Sequence, residues 1–244
     1  MSSATITTSA RLMNSTPQTE EQAMVRKVAV SSFLGNFIEW FDYASYSYFA
    51  TTIALVFFPT DNHTVAMLQT FGVFALSFIL RPIGALFWGS YGDKKGRKAA
   101  LAHSIMFMSG ASFLIGCLPS YSVIGVGAPI LLLLLRMVQG FSASGEYAGA
   151  ATFLGEYAPT SKRGIYCSLI PASTAIGLLA GSTLATLMTA NMNSSAMVGW
   201  GWRVPFLLAG PLGLIVLYIR AKLADSPVYQ SMNDALESKG AASA

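Results

Sequence analysis

Six long apolar stretches, separated by short polar connections, account for most of this chain. They cover about residues 28–58, 65–88, 99–118, 128–157, 165–190 and 204–221. Each is long enough to cross a hydrocarbon core of about 30 Å as a helix. The expected fold is therefore an all-α membrane protein with six transmembrane helices. The first run is long enough to tilt or break before it ends at Phe58 and Pro59. Residues 1–27 are expected to form a cytoplasmic, disordered tail, 28–222 the bundle, and 223–244 a second tail or the start of a central linker. Residues 1–24 are polar and hold no apolar core of a cleavable signal, so the first run itself is expected to direct insertion.

The connections are not alike. The second holds Gly89, Ser90, Tyr91, Gly92, Asp93, Lys94, Lys95, Gly96, Arg97 and Lys98, and the fourth holds Pro159, Lys162 and Arg163. The third, residues 119–127, carries no charge at all. Of the fifteen Lys and Arg residues, all but Arg81, Arg136 and Arg203 lie in the tails, the even connections or the end of the sixth run. That asymmetry places the even connections and both termini in the cytoplasm. Trp200 and Trp202 fall where an outer aromatic belt is expected.

Composition supports the same class: 53% hydrophobic and only 11% charged residues, against roughly a quarter charged in soluble domains. The formal net charge of +4 is accounted for by topology, so it does not indicate nucleic acid. Cys117 and Cys167 fall near opposite faces, too far apart for a disulfide. His63 and His103 are likewise remote, and no metal, ATP or nucleophile motif is present. No cofactor is implied, and a membrane-embedded enzyme is disfavoured.

The informative residues are ionisable groups inside the apolar runs, which cost several kcal/mol each unless paired or hydrated. Glu39 and Asp42 lie roughly two to three turns into the first run, and their spacing of three puts them on one helix face. Two carboxylates that close repel in a low dielectric, so one is expected to retain its proton near neutrality, as a proton carrier requires. The alternative is that one simply pairs with a buried arginine. Trp40 and Tyr43 beside them could offer donors or a cation-π surface to a quaternary or zwitterionic ligand. Asn36 is grouped with them as a substrate candidate.

Arg136, in the fourth run, cannot be neutralised. It must face a cavity or a carboxylate on another helix, binding an anionic substrate group or resetting a proton-carrying acid. Glu146 either carries protons or balances charge from the loop at 93–98. Arg81 reads as a buried structural partner, and Glu156 as half of a gate salt bridge. Gly145-x-x-x-Gly149 and Gly177-x-x-x-Gly181 read as close helix packing rather than substrate lining.

Gly89-x-x-x-Asp93-Lys94-x-Gly96-Arg97-Lys98 resembles the loop signature between the second and third helices of the major facilitator superfamily. Arg136-x-x-Gln139-Gly140, Glu156-x-x-Pro159-x-x-x-Arg163-Gly164 and Asp225-Ser226-Pro227 resemble its motifs in the fourth helix, the following loop and the end of the sixth helix. Phe37-Ile38-Glu39-Trp40-Phe41-Asp42, Leu80-Arg81-Pro82-Ile83-Gly84 and Gly140-Phe141-Ser142-Ala143-Ser144-Gly145-Glu146-Tyr147 are similar to the metabolite:proton symporters, proline/betaine carriers among them. The resemblance covers about residues 28–230.

It implies proton-driven uptake of a small solute across a bacterial inner membrane by alternating access. Asp93, Arg97, Glu156, Arg163 and Asp225 would then form a cytoplasmic charge network that closes one state, with Gly89, Lys94, Gly96 and Lys98 completing the gate loop. Members of the superfamily have two six-helix halves, and this chain resembles the N-terminal one. Transport is expected to need a second half or a homodimer partner. The alternative is a non-transporting module that packs with another membrane protein. An amino-acid-like zwitterion, osmolyte or carboxylate fits the mixture of acids, aromatics and Arg136.

Overall fold

A computed structural model describes residues 15–223 of the chain. Six long helices run in order. They are α1 (Ser15–Tyr48, continued by Ala50–Phe57), α2 (His63–Lys95), α3 (Arg97–Cys117), α4 (Gly127–Tyr157), α5 (Thr160–Asn191) and α6 (Gly201–Ala221). Among the described residues there is no strand. The last five are long and apolar enough to cross a membrane. The first is less apolar because Ser31, Ser32, Asn36, Glu39, Asp42 and Ser45 interrupt it, and all six are buried. Its polarity faces the bundle, not lipid.

The first helix starts at Ser15, well ahead of the apolar run, so residues 15–27 are helical rather than a disordered tail. The sequence there suits a helix: Pro17 lies in the first turn, where its missing N–H is not needed, and Glu20, Glu21, Gln22, Ala23 and Met24 follow. Val28 then docks this end against Leu101, Phe153, Ile170 and Leu223.

That cluster gathers the start of α1, α3 and α5 with the ends of α4 and α6. A second cluster at the opposite end joins Phe57, Leu118, Ala128, Met197 and Trp202. Val28, where the apolar part of α1 begins, and Leu223, just after α6, therefore lie at the same end, as six crossings require. Trp200 is 57% exposed, but Trp202 is fully buried, edge-on to Phe57 at 5.3 Å, and so belongs to the core rather than to an aromatic belt.

Turn chemistry sets the boundaries. Asn62 Oδ1 accepts from the Thr64 and Val65 amides at 3.0 and 3.3 Å and starts α2. Gly96 reverses the chain between α2 and α3 at φ 94°, a backbone conformation that disfavours any Cβ. The most extensive packing pairs α1 with α5 and α3 with α6. A Cβ on Gly177 would lie 2.8 Å from Phe37 O, and one on Gly181 2.6 Å from Ala44 Cβ. The glycine pair of α5 thus lets the two backbones touch.

Candidate functional site

Glu39 and Asp42 sit on the buried face of α1, where each meets an arginine from a different helix. Arg81 of α2 donates from Nη2 to Glu39 Oε1 at 2.6 Å and also to the Tyr43 hydroxyl. Arg136 of α4 donates from Nη1 to Asp42 Oδ2 at 2.7 Å. Gln139, one turn further along α4, donates from Nε2 to Asp42 Oδ1 at 3.1 Å and to the Ser112 hydroxyl of α3. The alternative of pairing with a buried arginine therefore holds for both acids, Glu39 with Arg81 and Asp42 with Arg136. A spacing of three residues shows that the carboxylates share a face; it cannot show which cations other helices bring.

Aromatic rings enclose both guanidinium groups. Arg136 lies 3.7 Å from the Tyr46 ring centre, and Tyr46 in turn donates to Thr70 O at 2.9 Å. Arg81 stands over Phe78 at 4.6 Å and Tyr43 at 5.0 Å. Trp40 meets Tyr43 edge-on at 5.8 Å. Removing ions from water is expensive, and cation-π contacts and hydrogen bonds offset part of that cost.

The pairs leave hydrogen-bonding capacity unused. Glu39 Oε2, Trp40 Nε1, Arg81 Nε, Arg136 Nε and Nη2, and Gln139 Oε1 are buried without a partner among the described residues. Buried polar groups are normally satisfied, so these atoms have spare capacity to bond a further polar group.

The other candidates separate from this centre. Asn36 Nδ2 donates to Ile170 O, the Ser173 hydroxyl and the Thr174 hydroxyl at 3.0, 2.8 and 2.9 Å, so it fastens α1 to α5. Glu146 does not balance the loop at 93–98. Arg220 of α6 grips it with both terminal nitrogens, Nη1 reaching Oε2 at 3.0 Å, while the Ser104 hydroxyl donates to the same oxygen at 3.2 Å. Gly35 makes room for this pair: a Cβ there would press on the Glu146 carboxyl and the Arg220 guanidinium. Arg220 stands two residues before Lys222 and reads, in sequence, as one more flanking charge. Only packing reveals it as a buried counter-ion.

At the basic end, Arg97 Nε bonds Glu156 Oε1 at 3.0 Å, and Asp93 stays 3.8 Å from Arg97. Lys94 and Lys98 flank this pair, and Gly89 faces open space. Arg163 is exposed and joins none of the ion pairs among the described residues. Asp225 lies outside the described residues.

A family profile described as "Sugar (and other) transporter" matches residues 27–244. The chain belongs to this family, within the major facilitator superfamily. It is 42% identical to the proline/betaine transporter of Salmonella typhimurium over 89% of its own length and 43% of that protein's. The glycine betaine/proline/ectoine/pipecolic acid transporter of Dickeya dadantii matches at the same identity and coverage. The structure of a proton:xylose symporter bound to 6-bromo-6-deoxy-D-glucose superposes with a TM-score of 0.76 at 16% identity, covering 86% of this chain and 46% of that one. The xylose transporter of E. coli in a partially occluded inward-open conformation gives 0.77.

The family consists of transporters, not enzymes, and the chain is a multi-pass membrane protein of the bacterial inner-membrane type. It spans less than half the length of the curated relatives named above.

Proposed function

We propose that this chain is the N-terminal half of a proton-coupled symporter that moves a small osmolyte or amino-acid-like zwitterion by alternating access. The observation that carries the reading is the pair of buried acids on α1, each bonded to an arginine of another helix and surrounded by unsatisfied polar atoms. Protonating Glu39 or Asp42 removes its charge and releases Arg81 or Arg136 to meet a substrate carboxylate. Losing the proton restores the ion pair and expels the anion. Trp40 and Tyr43 suit the cationic end of such a solute. The names of the relatives, proline and betaine transporters, fit that chemistry.

The basic end is cytoplasmic on the charge pattern, with both termini there. Arg97–Glu156, with Asp93 beside Arg97, serves as the gate that closes one state and hydrates in the other. A second six-helix half, or a second copy, completes the substrate cavity.

The test is uptake of labelled proline and glycine betaine in cells that make this chain with and without a separately expressed C-terminal half of a relative. Uptake is expected to rise with an inward proton gradient, and Glu39→Gln or Asp42→Asn to abolish that dependence while the protein still inserts. Uptake indifferent to both changes and to a protonophore overturns the reading. A second reading is a non-transporting module packed with a partner membrane protein. Association with a partner in the absence of uptake would support it.

A further inference from the structure

The geometry points to a binding site for one anionic phospholipid in the groove between α1 and α5 at the basic end of the bundle. The groove is a cavity of about 740 Å³. On α1 its wall runs Arg26, Val30, then Phe33 and Leu34. These spacings of four and three to four keep one helix face. On the facing side it runs Lys162, Tyr166, Leu169, again at helical spacing. Polarity falls in step along both walls. Two exposed cations stand at the mouth, a half-buried tyrosine follows on one wall, and hydrocarbon side chains line the depth.

At 1.5 Å per residue, Arg26 to Leu34 spans roughly 12 Å, the depth of the first stretch of an acyl chain below its phosphate. A soluble anion would meet the cations but leave the apolar wall wet. An uncharged lipid would cover the wall and leave two cations beside it uncompensated. An amphiphile with an anionic head satisfies both, and basic pockets between helices at this depth are the kind that hold such head groups. A helix from another protein would need two acids at the level of Arg26 and Lys162 to do the same. The inference requires only that the chain lies in a membrane, and it stands apart from the transport reading.

Native mass spectrometry of the full chain released from nanodiscs of mixed phosphatidylglycerol and phosphatidylethanolamine tests the site. The chain is expected to retain one phosphatidylglycerol in clear preference. Arg26→Gln with Lys162→Gln is expected to lower that retention several-fold, and Phe33→Ala to lower it without any change in charge. Lys95→Gln, an exposed cation elsewhere on the same face, is expected to leave it intact. Equal retention of the two lipids, or retention unchanged in the double variant, overturns the proposal. So does displacement by inorganic phosphate alone, which would mark a soluble-anion site, or by a co-expressed C-terminal half, which would mark a protein interface.

Discussion

Arg136 shows how much a single residue can depend on its neighbours. It is fully buried, paired with Asp42 and stacked on Tyr46. Removing one partner of such a pair strands a buried charge, at about 3–5 kcal/mol. Asp42→Asn and Arg136→Gln are each expected to lower the thermal stability of detergent-solubilised protein, and the double variant to lose less than their sum. A double-mutant cycle on the unfolding temperature checks this. Gly35 offers a sharper test. Gly35→Ala is expected to destabilise strongly by pressing on Glu146 and Arg220, whereas Gly72→Ala, which meets nothing within 4 Å, is expected to be near neutral in the same assay.

At the scale of elements, the helices and most turns were legible from apolar run length and from charge in the connections. Two elements departed. The first helix extends back to Ser15, because helix-forming polar residues can continue a helix beyond the membrane, and apolar patterning is blind to them. Trp202 turned inward, because a one-dimensional position at a membrane boundary does not say which side of its helix faces lipid. Gly96 links α2 to α3 at a positive φ. Gly96→Ala is expected to cost about 1–3 kcal/mol through backbone strain, seen as an earlier thermal transition. Gly181→Leu is expected to force α1 from α5, read as loss of a cross-link between cysteines placed across that seam.

For the whole molecule, the arrangement expected from six crossings is present: the start of the apolar part of α1, at Val28, and Leu223 after α6 meet in one hydrophobic cluster with Leu101, Phe153 and Ile170. Single cysteines placed at Lys95 and at Ser161 are expected to react with a membrane-impermeant thiol reagent from the cytoplasmic side only, and one at Ser194 from the opposite side only. Labelling of both sets from the same side of oriented vesicles would contradict the orientation. The chain spans 43% of the length of the proline/betaine transporter it matches, and on the proposed reading uptake is a property of the assembly with a second half.

Crossing number, the sidedness of charge, membership of a transporter superfamily and the presence of acids in lipid-spanning runs were all determined by the one-dimensional order of residues. Hydropathy and charge are local, summed properties that survive without any knowledge of contacts. The pairing of Glu39 with Arg81, Asp42 with Arg136, and Glu146 with Arg220 was decided only by tertiary structure. Those partners stand 42, 94 and 74 residues apart, and only helix packing selects which buried cation meets which acid.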